Sequence, residues 1–212
     1  LETEQELLNK GLSELGVSVQ SDTVARFLSY LFELKKWNRA YNLTALKNDR
    51  DIIIKHFFDS LLFLKAFPEY IGNVCDVGSG AGFPGIPIAI VRPDLSITLI
   101  EPSRKKCAFL RNIKKVINLN NVAVLEARVE DIKDTDFNIV VTRALFSINE
   151  FIKKTKHVVK KDGCFIVSKG PKFQEELGGI PPYAHFKHIT ATLPLTSLQR
   201  HLIRVANYVT SQ

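Results

Sequence analysis

The sequence predicts an α/β protein with a mostly parallel, doubly wound sheet, an antiparallel late strand and a helical extension at its amino end. Three observations predict it. Apolar residues recur at helical spacing through the first third of the chain, and from Asn73 onward short apolar runs alternate with helical stretches. The first of those runs ends in a glycine-rich turn, DVGSGAGFPG, from Asp76 to Gly85.

In the first third, Thr3 and Glu6 form a capping box, and Leu7, Leu8, Leu12 and Leu15 then follow at helical spacing. A second helix should begin near Asp22, with Val24, Phe27, Leu28, Leu31 and Leu34 forming one stripe that reaches Trp37. A third, over about 51–67, places Ile53, Phe57, Leu61 and Leu64 on one face. Residues 1–70 are thus expected to be a helical extension packed on a ligand-binding domain of residues 71–212. Strands are expected at 74–77, 97–100, 122–125, 139–142 and 165–168, and helices at 104–116 and 148–159, which implies a parallel sheet with crossover helices. After Gly170 the pattern loosens. Gly178, Gly179, Pro181 and Pro182 mark a turn, and 202–208 alternates as a late antiparallel strand would.

Composition limits the function classes. The chain has 212 residues, 45% of them hydrophobic and 24% charged, which is globular rather than disordered or collagenous. No apolar run approaches the ~20 residues of a spanning helix. Glu2, Glu4 and Glu6 open the chain where a secretory signal would be basic, so a cytoplasmic protein without a membrane partner is expected. Cys75, Cys107 and Cys164 form no C-x-x-C pair and read as small buried hydrophobes, with neither disulfide nor metal expected. His185 and His188 lack further ligands. The net charge of +7 raises the odds of a polyanionic partner.

The glycine turn carries the chemistry. A ligand lying across the end of a first parallel strand needs close backbone approach and positive φ, which glycine supplies cheaply at Gly78, Gly80 and Gly82. Gly80, Gly82 and Gly85 also satisfy the G-x-G-x-x-G of dinucleotide enzymes, so a nicotinamide oxidoreductase is the rival. Asp76 weighs against it, because a carboxylate is unfavourable beside a pyrophosphate but suits a ligand bearing a sulfonium and an amino group. A Walker A loop is excluded, since no Lys-Ser or Lys-Thr follows the glycines. Glu101 closes the second strand 19 residues beyond Gly82, where doubly wound folds place an acid for ribose hydroxyls. Glu130 and Asp131 either meet an adenine or cap a helix.

Taken together, several segments resemble the ribosomal RNA small-subunit methyltransferase G family, also called glucose-inhibited division protein B. They are WNRAYNLT at 37–44, HFFDSL at 56–61, DVGSGAGFPGIPIAI at 76–90, RVE at 128–130, TRAL at 142–145 and KG at 169–170. The GFPGIP extension is far more specific than any glycine pattern. The resemblance implies a Rossmann-like class I methyltransferase fold, S-adenosylmethionine as cofactor, and methylation of N7 of one guanosine in the decoding region of small-subunit (16S) ribosomal RNA. Carried over by position, Gly78 and Phe83 contact the cofactor in the loop, Val129 and Glu130 on its adenine side, and Arg143 after the fourth strand. Ala127 stands where the family often has glycine, and the segment after Gly178 matches weakly.

Transfer to guanine N7 needs no proton removed, because the lone pair is already free. Positioning two reactants in line can alone contribute about 7–11 kcal/mol, which suits a sequence with no obvious acid–base constellation. No catalytic residue is therefore assigned, although Arg143 either orients the methionine moiety or RNA or forms a structural salt bridge. Pro181, Pro182 and Tyr183 imitate the proline-proline-tyrosine of amino-methylating enzymes but fall about forty residues too late. His56, Asp59 and Ser60, on one helix, are expected to tie the amino-terminal segment to the main fold. Lys169, Lys172, Arg200 and Arg204 follow late strands near the cofactor edge and are candidate RNA contacts. The basic runs at 104–115 and 153–161 are either phosphate contacts or solvated helix faces. A monomer is expected. Alternatives are a methyltransferase acting on another RNA, a protein or a small molecule, and a nucleotide-binding module without catalysis.

Overall fold

A computed structural model describes residues 2–18, 20–69, 72–133, 135–143, 146–171, 173–180 and 184–206. The fold is built on β1 (Asn73–Val77), which pairs in parallel with β2 (Ser96–Ile100) on one side and β4 (Phe137–Arg143) on the other. The chain runs outward from β1 through β2 to β3 (Val122–Leu125), then returns to β4 and proceeds to β5 (Val159–Lys169). The seven-stranded order is β3-β2-β1-β4-β5-β7-β6, so direction reverses between β1 and β4, the crevice where open α/β sheets bind ligands. β7 (Gln199–Ala206) runs antiparallel between β5 and β6 (Phe186–Thr192), so the expected mostly parallel, doubly wound sheet with its late antiparallel strand is present.

Two strands depart from expectation for the same reason. β6 has mostly exposed residues, as an edge strand does, and β5 begins in the charged stretch Val159–Gly163. Backbone pairing holds both, and neither leaves an apolar alternation to read. Among its described residues, the connection from β3 to β4 also lacks a crossover helix and carries a 3-10 turn, Val129–Asp131.

Strand alternation divides the apolar side chains between two faces. Val74, Ile97, Leu99, Ile139, Val141 and Ile166 join one cluster with α5 (Gly85–Val91), α6 (Arg104–Val116) and the amino-terminal helices. Cys75, Val77, Val140, Phe165 and Val167 join a second under α7 (Ile148–Thr155) and the stretch that follows α8 (Gln174–Leu177). All three cysteines are buried and unpaired. Among the described residues no helix is long and apolar enough to cross a membrane.

The amino-terminal helices α1 (Glu4–Glu14) and α2 (Thr23–Tyr41) begin as expected, the first with its capping box formed. The third helix is composite. An α turn, α3 (Asp49–Ile52), leads to a π-helical stretch, Ile53–Phe58, then α4 (Asp59–Leu61) and a 3-10 turn, Leu62–Ala66. The expectation of one apolar face fails here, because Ile52 to Ile54 and Phe57 to Phe63 are all buried. α1 covers this segment from outside while β6 and β7 lie against its end, and a helix enclosed on both sides is buried all round.

Gly11 explains how α1 fits so closely. A Cβ there would come within 2.2 Å of the fully buried Phe58 ring. On propensity alone, Gly11→Ala should stabilise a helix by about 1 kcal/mol. Overpacking against Phe58 should reverse that sign and lower stability by about 1–3 kcal/mol, so a thermal or urea melt of G11A that is unchanged or more stable would contradict this packing.

Candidate active site

At the end of β1 the chain turns through Gly78, Gly80 and Gly82, with φ of 71°, 59° and 99°, values that side-chain-bearing residues rarely adopt. Contacts from below hold the turn in place. The fully buried Asp76 carboxylate accepts from Gly85 N at 2.8 Å, and a Cβ on Gly85 would collide with Leu99 and Asp76. Glu101, at the end of β2, accepts from Gly80 N at 2.9 Å with one oxygen and from Ser103 N at 2.9 Å with the other. From outside, the buried Tyr30 hydroxyl of α2 donates to the Ala81 carbonyl at 2.5 Å.

Asp76 therefore sits beneath the loop, bonded to its backbone at Gly85. Its Oδ1 has no hydrogen-bond partner among the described residues. Burial raises its pKa to about 7, against the Gly85 N–H and Arg143, which lower it. A cation arriving over the loop would favour its ionised form.

Two cavities meet at Gly78. One, of about 310 Å³, is lined by Val77, Ile100, Pro102, Val129, Glu130 and Phe146 among others. Val129 is buried, whereas Glu130 is exposed at the mouth and pairs with Lys154 at 2.6 Å. The other, of about 150 Å³, is lined by Thr44, His56, Ser79, Gly80, Phe83 and Arg143 among others. Gly78, Gly80, Phe83, Val129, Glu130 and Arg143 thus line two neighbouring cavities that share Gly78, with Asp76 below the loop and Glu101 bonded to it.

Arg143, at the end of β4, organises the smaller cavity. Its guanidinium lies over the Phe83 ring, 5.0 Å from the centroid. Nη1 donates to the Lys55 carbonyl at 3.2 Å and reaches Asp59 Oδ2 at 3.5 Å, while Nη2 meets His56 Nδ1 at 2.9 Å. Asp59 also receives Arg200 Nε at 2.8 Å, so one buried carboxylate serves two arginines. Burial pushes the Asp59 carboxyl up while Arg200 and Arg143 pull it back down. His56 stacks on Phe83, with centroids 4.5 Å apart. Arg143 can only donate, so His56 Nδ1 must be the lone-pair nitrogen and the ring is neutral with its proton on Nε2. Burial first, and then Arg143, lower its pKa to about 4. Ser60 donates to the His56 carbonyl at 2.6 Å. His56 and Asp59 thus tie this segment to the main fold, as expected, whereas the Ser60 bond stays within its own helical segment.

The described candidate RNA cations are engaged within the protein. Lys169 donates to the Phe146 carbonyl and pairs with Glu176 at 2.9 Å. Arg200 is held by Asp59, and Lys172 lies outside the described residues, as does the Pro181–Pro182–Tyr183 stretch. Arg204 corrects the expectation of a place near the cofactor edge. It sits mid-strand opposite Ile166 and donates to the Ala66 carbonyl at 3.3 Å, because β7 starts at Gln199 and carries Arg204 past the cleft. Cations do line a larger groove of about 660 Å³ at the end of α2, formed by Lys35, Asn38, Arg39, Thr44 and Lys47 among others. Lys35 pairs with Asp49 there, but Arg39 and Lys47 form no ion pair among the described residues. Thr44 borders both this groove and the cleft. No group of three His, Cys, Asp or Glu side chains suited to a metal occurs among the described residues.

Sequence reasoning missed Tyr30, Asn38 and Thr44. Tyr30 sits within an apolar stripe, so only the loop it meets reveals the role of its hydroxyl. Asn38 and Thr44 fall inside the WNRAYNLT segment, which was the one available signal.

A strand-end glycine loop, an acid closing the next strand and a cleft at the reversal of strand order are the architecture of class I methyltransferases, which take their methyl group from S-adenosylmethionine. Solved structures share this fold: a methyltransferase from Pyrococcus furiosus (TM-score 0.62, 13% identity, 87% of this chain and 99% of that one) and a SAM-dependent methyltransferase from Aquifex aeolicus (0.57, 19%, 79% and 97%). Residues 23–203 match the family described as GidB: rRNA small subunit methyltransferase G, and the chain belongs to that family. Proteins named ribosomal RNA small subunit methyltransferase G are similar along nearly their whole length: 38% identity in Methylobacillus flagellatus (94% of this chain, 96% of the relative) and 37% in Nitrosococcus oceani (95% and 94%). The protein is thus an S-adenosylmethionine-dependent methyltransferase.

The His56 geometry predicts a titration. Its pKa is about 4 when folded, against 6.5 for an ordinary histidine, so the unfolded chain takes up the proton first. Its contribution to stability is therefore present above pH 6.5 and is lost as pH falls toward 4. Nitrogen NMR should show His56 neutral, with the proton on Nε2, from about pH 5 to 8; a midpoint near 6.5 would contradict the bond from Arg143.

Proposed function

We propose that this enzyme methylates N7 of a guanosine in 16S ribosomal RNA, with S-adenosylmethionine lying across the glycine loop. The observation that carries the cofactor placement is the two-part cleft joined at Gly78, whose ends differ in chemistry. The apolar end beside Val129 and Phe146 suits the adenine, Glu101 stands where ribose hydroxyls need an acceptor, and Arg143 faces the end that suits the methionine carboxylate. The chemistry of the residues fits the group. Asp76 lies with an unsatisfied oxygen under a loop that would meet a cationic ligand, and Glu101 retains lone pairs for ribose. When bound, the cofactor supplies a methyl on a positively charged sulfur. Gly78 and Gly80 let the backbone approach it, Phe83 and Val129 exclude water, and Glu130 and Lys154 border the opening.

The RNA substrate and its N7 acceptor rest on family membership and on the chemistry at hand. Nothing lining the smaller cavity serves as a general base: His56 is committed to Arg143 and Thr44, and the three cysteines are buried elsewhere. An acceptor with a free lone pair needs none. The backbone is proposed to enter along the groove at Arg39 and Lys47, which leads to the cleft through Thr44. Such a substrate places the enzyme in the cytoplasm.

Labelled methyl transfer to small ribosomal subunits lacking the modification should yield 7-methylguanosine, and any other methylated nucleoside would refute the acceptor assignment. Calorimetry should show binding of S-adenosylmethionine and S-adenosylhomocysteine but not NAD. Glu101→Ala should weaken the first two by about tenfold or more. Replacing both Arg39 and Lys47 with Glu should leave cofactor affinity intact while weakening RNA binding and lowering its salt slope by about 2. An unchanged slope would remove those residues from the interface.

A further inference from the structure

Thr44 lies at the junction of the groove and the cleft, and its hydrogen bonds leave it one freedom. Its backbone is clamped by Asn38, whose side chain donates to the Thr44 carbonyl at 2.9 Å and accepts from Thr44 N at 2.8 Å. Thr44 Oγ1 accepts from Leu46 N at 3.1 Å and lies 2.7 Å from His56 Nε2. Because Arg143 occupies His56 Nδ1, Nε2 carries the proton and donates to Thr44 as well. A hydroxyl oxygen has two lone pairs, and both are now used. The Thr44 hydroxyl hydrogen has no acceptor among the described residues, so it is free to point into the cavity that also holds Gly78, Phe83 and Arg143.

We propose that Thr44 is a specificity-determining residue: an obligate hydrogen-bond donor that meets the O6 carbonyl of the target guanine and leaves N7 free for the methyl group. This rests on the reading that guanine N7 is the acceptor. On that edge guanine presents the two acceptors N7 and O6, whereas adenine presents N7 and an amino donor. A hydroxyl whose lone pairs are both occupied can satisfy O6 but not the adenine amino group, so the same bond that orients guanine rejects adenine. The methionine carboxylate is the other acceptor within the cleft. The base is favoured because Thr44 also walls the groove, on the side from which the nucleotide would arrive. Arg143 acts here as a positioning residue, since its bond to Nδ1 sets the direction of the whole chain from Arg143 through His56 to Thr44.

The test combines a variant with a base analogue. Small-subunit RNA is prepared with either guanosine or 2-aminopurine riboside at the target position, the latter keeping N7 but lacking O6. For the wild-type enzyme, kcat/KM should fall by about tenfold or more on the analogue. Thr44→Val should lose a similar factor on guanosine and nothing further on the analogue, while Thr44→Ser should recover most of the guanosine activity. Cofactor affinity by calorimetry should stay within about twofold throughout. Equal losses by Thr44→Val on both RNAs, or a cofactor affinity that falls with the hydroxyl while base discrimination persists, would overturn the proposal and assign the donor elsewhere. Equal wild-type rates on the two RNAs would overturn it without any variant, which covers the case that Thr44→Val does not fold. Nucleoside analysis of the wild-type product on guanosine tests the N7 reading separately.

Discussion

The site depends on the guanidinium of Arg143, held at the end of β4 by Asp59, by the Lys55 carbonyl and by His56. This interaction joins the amino-terminal helices to the sheet at the place where strand order reverses. Breaking a buried ion pair by removing one member typically costs about 3–5 kcal/mol, because the remaining charge is stranded. Asp59 is shared between Arg143 and Arg200, which come from β4 and β7. A single carboxylate therefore ties the helical segment to two strands. Its desolvation, visible in the upward push on its pKa, is offset by having two cationic partners.

Around that anchor the amino-terminal helices complete the site as well as cover the sheet. α2 contributes Tyr30, which pins the glycine loop from the side opposite Asp76, and its last turn contributes Asn38, which clamps Thr44. The loop is thus preorganised between a carboxylate below and a phenol outside. It presents its backbone without having to order itself as a ligand arrives, which suits a reaction that depends on positioning. The same helices supply the cationic groove, which meets the smaller cavity of the site at Thr44.

The neutral histidine is the least ordinary element. In most settings an imidazole between an arginine and a hydroxyl would invite a role as a base. Here the guanidinium occupies the lone pair such a role would need, and burial keeps the proton count fixed. His56 instead passes direction from a permanent cation to a hydroxyl. A neighbour without any acceptor thereby determines the polarity of a hydrogen bond two residues away along the network.

The order of β1 to β5 and the late β7, the glycine turn, the acid after β2 and the helical first third were legible in the sequence, because each leaves a local periodicity or a characteristic residue type. The boundaries of α6 and β3 could be read directly, since their apolar patterns start and stop with the elements. β6 and the first half of β5 could not, because an exposed edge is held by backbone bonds that have no side-chain signature. The segment from 49 to 66 shows the same limit from the other direction: burial on both sides erases the single apolar face that periodicity would reveal. Which cations are free was also hidden. Lys169, Arg200 and Arg204 are as basic in the sequence as Arg39 and Lys47, and only their neighbours from distant elements decide that the first three are spent internally. The sequence by itself determined the class of fold and the place of the glycine loop, since both follow from interactions within a few residues. Only the tertiary structure decided which side chains close the site, because Tyr30, Thr44, Asp59 and Arg143 are brought together by packing between elements far apart in the chain.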